Sequence, residues 1–316
     1  MADHHILITA PLPPFLYDPL QAGYRCHDYN AAADKPGLLA ADGGLIRGLV
    51  QGGGTVTPSS LLDALPKLEL ISVFGVGYDG VPVDYCRQRG IKVTNTPDVL
   101  TDDVADVAVG LILMTGRGFV QLNRFVHTGD WEKRGPALMT KLSGKRVGIL
   151  GLGRIGKAIA QRVEAMGMEV SYTGRKPQDV SYRYVPTLQA LASEVDFLVV
   201  ACPGGAATKN VVNAEVLSVL GKKGTLVNIA RGSIVDEVAL VAALHAGTIK
   251  GAGLDVFADE PHIPAALMTM DNVVLLPHVG SATNETRKAM GDLCKANLDA
   301  WFRTGNVVTL IPELQG

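Results

Sequence analysis

Short apolar runs alternate with segments of helical spacing over roughly the first hundred residues. The runs are rich in Val, Ile and Leu, as buried strands are, and they occupy residues 6–9, 45–50, 70–74 and 91–94. Between them, residues 61–65 have the apolar spacing of a helix. Because strands that alternate with helices form parallel sheets, we predict a small parallel α/β domain.

Residues 104–114 show a different pattern, because apolar side chains fall on nearly every face of the predicted helix. Such a helix is usually buried, so we predict that it lies between domains or against a partner subunit. Its length of about 11 residues is below the roughly 18 that a transmembrane helix needs. Together with the linking segment 121–141 and its Trp131, it predicts a homodimer, although Trp131 fits a core position equally well.

A second series of strands begins after Lys145. Six apolar runs are separated by segments long enough for helices, at residues 146–150, 169–172, 196–201, 225–229, 251–256 and 273–276. This alternation predicts a doubly wound parallel sheet. A final helix after Thr283 has one apolar face, formed by Met290, Leu293, Cys294, Leu298, Trp301 and Phe302. The predicted fold class is therefore α/β, with two Rossmann-like or flavodoxin-like domains.

The composition narrows the function classes. The 316 residues suffice for two domains, and the 29 basic and 31 acidic residues give a net charge of −2 without any block of like charge. We therefore expect no nucleic-acid or membrane partner. The N-terminus lacks a signal-peptide pattern and the cysteines lack metal-site spacing, so we expect a soluble cytoplasmic protein with reduced thiols and no metal. The cysteines are Cys26, Cys86, Cys202 and Cys294.

Gly151, Gly153 and Gly156 form a GxGxxG motif that follows the strand VGIL and opens a helix. This context is the one that a dinucleotide-binding turn requires. Gly151 permits the tight turn, Gly153 lets a pyrophosphate approach the backbone, and Gly156 lets the helix pack on the strand. Free amides at the start of the helix would then bind the phosphates.

The next strand ends in Gly174, Arg175 and Lys176. An NAD-binding domain usually has Asp or Glu at this point, to bind the ribose 2′-hydroxyl. Two cations in its place suit a 2′-phosphate, so we expect NADP(H) to be preferred while NAD(H) remains possible. An ordinary solvated turn is the alternative interpretation.

Three polar side chains follow three successive predicted strands. Arg231 stands in NIARG, Glu260 in DVFADEP and His278 in LLPHVGS. Ligands of open α/β sheets bind beyond the carboxyl ends of the strands, where all three are expected. A guanidinium, a carboxylate and an imidazole beside a nicotinamide would provide a carboxylate anchor, an orienting group and a proton donor. The sequence thus predicts reduction of a 2-oxo acid.

The chain resembles the D-isomer-specific 2-hydroxyacid dehydrogenases, in their glyoxylate/hydroxypyruvate reductase and hydroxyphenylpyruvate reductase-like branch. The resemblance is carried by VTNTPDVLTDDVADVAVGLIL, GKRVGILGLGRIG, VNIARGSIVDE, GAGLDVFADEP and VVLLPHVGSAT. It implies a discontinuous substrate domain of residues 1–99, completed by 286–316, and a dinucleotide-binding domain of residues 100–285.

The resemblance also implies the roles of individual residues. The catalytic residues would be Arg231, Glu260 and His278. The loop Gly75, Val76 and Gly77 would present the amides of Val76 and Gly77 to the substrate carboxylate, which Arg231 would also bind. The dinucleotide would lie near Gly151, Leu152, Gly153, Arg154, Ile155, Gly156, Gly174, Arg175, Lys176, Ile229 and Asp255.

These implications amount to NADPH-dependent reduction of glyoxylate or hydroxypyruvate to a D-2-hydroxy acid, with the 2-oxo acid bound between the domains. Protonated His278 would donate the proton, and Glu260 would favour the cationic imidazole. Two alternatives stay open. One is an NAD-dependent relative that acts on another 2-hydroxy acid, and the other is a dinucleotide-sensing corepressor similar to C-terminal-binding proteins.

Overall fold

The computed structural model describes residues 3–315. Their contacts divide the chain into two compact units. One consists of the residues up to Leu100 together with those from Thr283 onward, and the other consists of Thr101–Ala282. The predicted domain boundaries were 99/100 and 285/286, and the assignment of substrate and dinucleotide roles to these units stays a prediction.

Five parallel strands form the sheet of the first unit. They are β1 (His5–Ile8), β2 (Arg25–Asp28), β3 (Ile46–Gly52), β4 (Leu70–Phe74) and β5 (Lys92–Thr94). Their order is β2-β1-β3-β4-β5, and every neighbouring pair is parallel. The prediction of a parallel α/β unit is confirmed. The apolar pattern does not predict β2, because its sequence RCHD is polar and it forms by pairing with the open edge of β1.

Four helices connect these strands: α1 (Pro14–Gly23), α2 (Lys35–Asp42), α3 (Ser59–Asp63) and α4 (Val83–Gln88). The helix predicted at 61–65 is α3, which begins and ends two residues earlier. Its buried residues Leu61 and Leu62 belong to the apolar core on one face of the sheet.

Seven parallel strands form the sheet of the second unit. They are β6 (Arg146–Leu150), β7 (Glu169–Thr173), β8 (Arg183–Tyr184), β9 (Phe197–Val200), β10 (Thr225–Asn228), β11 (Gly251–Leu254) and β12 (Val273–Leu275). Their order is β12-β11-β10-β9-β6-β7-β8. The doubly wound sheet is confirmed, but the predicted number of six strands is wrong. The additional strand β8 has only two residues, too few to show a periodic pattern, and it pairs with β7 at the edge.

The helices of this unit are α5 (Thr101–Arg117), α6 (Phe119–His127), α7 (Arg154–Ala165), α8 (Leu188–Ser193), α9 (Ala214–Leu220), α10 (Glu237–His245) and α11 (Ala265–Met268). The all-apolar pattern at 104–114 lies in α5. One face of α5 packs on α7, β10 and β11, while Val107 and Leu113 on another face are only half-buried.

The chain then returns to the first unit through α12 (Asn284–Thr304). Thr283 caps this helix, because its side chain accepts a hydrogen bond from the amide of Thr286. Along the predicted apolar face, Met290, Cys294 and Leu298 are buried, whereas Leu293, Trp301 and Phe302 are half-buried.

The last residues are held to α12 by a buried asparagine. The side-chain amide of Asn297 donates to the carbonyl of Leu293 and to Oγ1 of Thr309, and its Oδ1 accepts from the amides of Val308 and Thr309. All four hydrogen bonds measure 2.9–3.0 Å.

None of the helices formed by residues 3–315 combines the length and the apolar character that a membrane span requires.

Candidate active site

The glycine-rich turn lies between β6 and α7. Gly151 has a φ of 98°, and a Cβ there would lie 2.7 Å from the backbone of Cys202. A Cβ at Gly156 would overlap the carbonyl oxygen of Gly151. At Gly153, by contrast, a Cβ would meet no atom of the described chain within 4 Å. Two glycines therefore permit the close packing of strand and helix, and the third leaves open space beside the backbone.

That open space lies at the start of α7, where backbone amides are not used inside the helix. Gly153 is the residue before the helix and provides no side-chain cap. The turn continues through Leu152, Arg154 and Ile155, which stand in the predicted positions. Free amides together with the positive end of the helix dipole suit a pyrophosphate, so these residues fit a dinucleotide.

The cationic turn follows β7. Arg175 and Lys176 are exposed, and Gly174 is partly exposed. The turn is tied to the glycine-rich turn by Gln178, whose side-chain amide donates to the carbonyl of Leu152 at 2.8 Å. The backbone amide of Gln178 in turn donates to the hydroxyl of Tyr172 at 2.7 Å.

Sequence reasoning missed Gln178. Polar residues are common in turns, and the contact with Leu152 spans 26 positions, so no local pattern indicates it. The structure thus brings the two predicted cations to a turn that is anchored beside the glycine-rich turn.

Arg231, Glu260 and His278 follow β10, β11 and β12, which are neighbours in the sheet. Nδ1 of His278 lies 2.7 Å from Oε2 of Glu260. The other carboxylate oxygen of Glu260, Oε1, accepts from the amide of Phe257 at 3.0 Å. The carboxylate therefore bridges its own loop and the imidazole.

The carboxyl group of Glu260 is kept ionised by its neighbours. Burial alone would raise its pKa, but the hydrogen bonds from His278 and from the amide of Phe257, with the charges of His278 and Arg231, lower the pKa below its usual value. Since Arg231 contributes to this shift, its guanidinium lies within electrostatic range of the pair.

His278 adopts a backbone conformation that is rare for a residue with a side chain, with a φ of 54°. Asp255 holds it there. The carbonyl of Asp255 accepts from the amide of His278 at 2.9 Å, and its carboxylate oxygens accept from the amides of Val279 and Gly280 at 2.7 and 2.8 Å. A single aspartate thus binds three consecutive amides and orients the imidazole.

Asp255 is only 1% exposed. Burial raises the pKa of its carboxyl group, against the opposing effect of the hydrogen bonds from Val279 and Gly280. The resemblance places this residue near the dinucleotide. The structure gives its carboxylate a positioning role for His278, and a contact with the dinucleotide stays a prediction.

The turn that carries Arg231 is fixed by Asn228, which is 1% exposed. The side-chain amide of Asn228 donates to the carbonyl of Arg231 at 2.9 Å, and its Oδ1 accepts from the amide of Ala230 at 3.1 Å. A Cβ at Gly232 would overlap the backbone of Phe257, so the Arg231 turn packs directly on the loop after β11. Sequence reasoning missed Asn228, although a buried amide at the end of an apolar strand is itself a signal.

In the first unit, the loop after β4 contains Gly75, Val76 and Gly77. Asn95 fixes it by donating to the carbonyl of Val76 at 2.8 Å, and a Cβ at Gly75 would lie 2.9 Å from Cα of Gly53. Among residues 3–315, no hydrogen bond uses the amides of Val76 and Gly77. Two available donors in a rigid loop suit an anionic ligand.

Residues 109–280 match the family model of the D-isomer-specific 2-hydroxyacid dehydrogenase NAD-binding domain. This chain belongs to the D-isomer-specific 2-hydroxyacid dehydrogenase family. The resemblance found in the sequence is thereby confirmed. The matched domain is an NAD-binding domain, which agrees with the predicted nicotinamide coenzyme.

Several relatives within the family match over nearly their whole length. The chain is 45% identical over 306 residues to glyoxylate/hydroxypyruvate reductase A of Arabidopsis thaliana, which covers 96% of this chain and 97% of the relative. It is 47% identical over 298 residues to hydroxyphenylpyruvate reductase of Plectranthus scutellarioides, with 94% and 95% covered. Family members this similar therefore bear the names of reductases of different 2-oxo acids.

A solved structure of the family agrees with this fold. The NADPH-dependent glyoxylate/hydroxypyruvate reductase of Sinorhizobium meliloti, in complex with NADP and malonate, is 45% identical and matches with a TM-score of 0.91. The match covers 99% of this chain and 98% of that one.

The described residues of the present chain contain no cluster of three or more His, Cys, Asp or Glu side chains that could hold a metal ion.

Proposed function

We propose that this protein reduces small 2-oxo acids, such as glyoxylate and hydroxypyruvate, to D-2-hydroxy acids with NADPH. The observation that carries the proposal is the 2.7 Å contact between His278 and Glu260, with Arg231 on the adjacent strand end. The names of the Arabidopsis thaliana and Sinorhizobium meliloti relatives support the substrate class.

The nicotinamide, when bound, supplies the hydride for the carbonyl carbon. His278 is the proton donor to the developing alkoxide. Because its Nδ1 is engaged by Glu260, Nε2 is the atom that would face the substrate. Glu260 orients the imidazole and stabilises its cationic form, and Arg231 binds the carboxylate and polarises the keto oxygen through its planar fork of donors.

The loop of the first unit supplies further donors to the substrate carboxylate. The amides of Val76 and Gly77 take this role in the proposal, supported by their availability and by the rigid packing of Gly75 on Gly53. A carboxylate accepts several hydrogen bonds, so both main-chain amides of this loop can donate to it.

NADPH is the preferred coenzyme in this proposal, with NADH as a weaker alternative. Arg175 and Lys176 are exposed at the end of β7, where an acid would bind the ribose of NAD. Their position beside the glycine-rich turn, secured by Gln178, supports contact with a 2′-phosphate.

A panel of initial rates tests the proposed activity. We expect glyoxylate and hydroxypyruvate to be reduced with NADPH, and chiral analysis of the hydroxypyruvate product to give D-glycerate. The panel includes hydroxyphenylpyruvate, the substrate in the name of the Plectranthus scutellarioides relative. If protein that binds NADPH turned over none of the 2-oxo acids of the panel, the proposal would be contradicted.

Arg175→Asp tests the coenzyme preference. The change removes the cation and introduces the acid that suits a ribose hydroxyl, so the ratio of kcat/KM for NADPH to that for NADH should fall by at least about tenfold, which is about 1.4 kcal/mol. Lys223→Asp is the matched control. This exposed lysine precedes β10 and so lies near the amino-terminal ends of the strands, whereas Arg175 follows the carboxyl end of β7. A ratio within about twofold of the wild type after Arg175→Asp would show that Arg175 does not bind the 2′-phosphate.

Glu260→Gln tests the proton donor through pH. The charge of His278 lowers the pKa of Glu260, so by reciprocity the carboxylate stabilises the imidazolium. Reduction consumes a proton, so the reductive rate should fall as pH rises. Without the carboxylate that stabilises the cationic donor, this fall should move to lower pH.

The control for this change is Glu237→Gln. The carboxylate of Glu237 accepts a hydrogen bond at 2.8 Å from the amide of Ala258, which lies in the same loop as Glu260. The substitution should leave the pH profile unchanged. Superimposable profiles of the wild type and Glu260→Gln would remove Glu260 from the proton-transfer step.

The proposal includes a homodimer in the cytoplasm. Several large apolar side chains between α5 and β6 are exposed, with Trp131 at 63% and Leu138 at 100%. Phe119, Val120 and Val126 add to this apolar surface, and an area of this kind seldom stays exposed in a monomer. The free cysteines suit a reducing compartment.

Sedimentation velocity at micromolar concentration tests the homodimer. The wild type should sediment as a dimer, and Trp131→Glu with Leu138→Glu should shift the protein to a monomer because charges would be buried in the interface. Val238→Glu is the control, since Val238 is 82% exposed on α10. A monomeric wild type under these conditions would refute the proposed assembly.

A further inference from the structure

Arg287 lies in the first turn of α12, which packs along β4 of the same unit. Farther along the helix, the carbonyl of Cys294 accepts from Oγ of Ser72 in the middle of the strand, at 2.9 Å. Arg287 reaches the strand's last residue, Phe74, and its guanidinium carbon lies 5.8 Å from the centroid of that ring. The start of α12 is therefore at the carboxyl end of β4, where the loop Gly75–Gly77 begins.

The environment of Arg287 is unfavourable for a cation. The side chain is half-buried, and burial lowers the pKa of its guanidinium. The first turn of a helix is the positive end of the helix dipole, which disfavours a further positive charge. Within residues 3–315, no Asp or Glu forms an ion pair with Arg287, and the aromatic face of Phe74 is the group that stabilises its charge.

Other cations of α12 are arranged differently. Lys288 pairs with Asp292 at 2.6 Å, and Lys295 pairs with Asp299 at 2.7 Å, each four residues farther along the helix. Arg287 has Gly291 at the equivalent distance, and the backbone of Gly291 packs on Phe15 and Leu16. The sequence of this helix thus provides an acidic partner four residues on for Lys288 and Lys295, and none for Arg287.

We propose that Arg287 determines the affinity for the substrate carboxylate, by supplying the positive charge that draws this group to the amides of Val76 and Gly77. The inference rests on the proposed reduction of 2-oxo acids and adds a residue to it. Two amides alone carry only partial charges, whereas a guanidinium in a partly desolvated site attracts an anion strongly. Arg287 acts on binding, because the carboxylate has the same charge before and after hydride transfer.

Arg287→Met tests this assignment, since methionine keeps an unbranched apolar stem over Phe74 and removes the charge. KM for glyoxylate should rise about tenfold with kcat within about twofold, the pattern of lost ground-state and transition-state binding alike. The salt dependence of kcat/KM should also become weaker, because screening has one fewer charge to act on. Affinity for NADPH should stay unchanged.

Binding of oxalate to the NADPH-loaded protein, measured by titration calorimetry, provides a readout that does not need turnover. Its Kd should rise about tenfold in Arg287→Met, in parallel with KM. Arg287→Lys retains the charge and should recover most of the loss. Lys288→Met changes an exposed lysine that pairs with Asp292, one residue along the same helix. It is the matched control and should leave KM and Kd unchanged.

The outcomes separate this inference from the proposed function. If the wild type turns over no 2-oxo acid, the proposed function is wrong, while oxalate binding still decides the role of Arg287. Unchanged KM and unchanged oxalate Kd in Arg287→Met would overturn the inference. Equal losses in Arg287→Met and Arg287→Lys, accompanied by equal drops in Tm, would also overturn it, because packing on Phe74 and not charge would then be responsible.

Discussion

Parallel strand pairing is the constraint on which the candidate site depends. Because all strands of the second unit run in one direction, the loops that follow them meet at one edge of the sheet. The glycine-rich turn follows β6, the cationic turn follows β7, and Arg231, Glu260 and His278 follow β10, β11 and β12. Residues more than a hundred positions apart thereby share one edge, and each needs only a short loop to reach it.

Within that edge, buried polar groups set the geometry of the functional side chains. Asp255 binds three consecutive amides from His278 to Gly280, and Asn228 ties the turn of Arg231. Such groups are costly to bury unless they are fully bonded, so their hydrogen bonds define one loop conformation. The φ of 54° at His278 is maintained by this network, and the imidazole meets Glu260 as a result.

The first unit uses the same principles on a smaller sheet. Asn95 and the contact of Gly75 with Gly53 fix the loop after β4, and Asn297 fastens the returning tail to α12. Arg287 is the exception, as a half-buried cation that lies over the ring of Phe74. Buried groups with incomplete partners are where a ligand has most to contribute, which distinguishes Arg287 from the paired lysines beside it.

Local patterns along the chain were enough to predict the fold class, the glycine-rich turn and the order of the three polar residues at the strand ends. These features are local, since buried strands have continuous apolar runs and a dinucleotide-binding turn needs glycine at fixed spacing. Other features became visible in the folded chain alone: the edge strands β2 and β8, the contact of Gln178 with Leu152, the role of Asp255 and the environment of Arg287. Each of these features depends on partners distant in the chain, because an edge strand forms where a neighbouring strand offers hydrogen bonds. A polar side chain likewise takes its role from the group that the fold brings beside it.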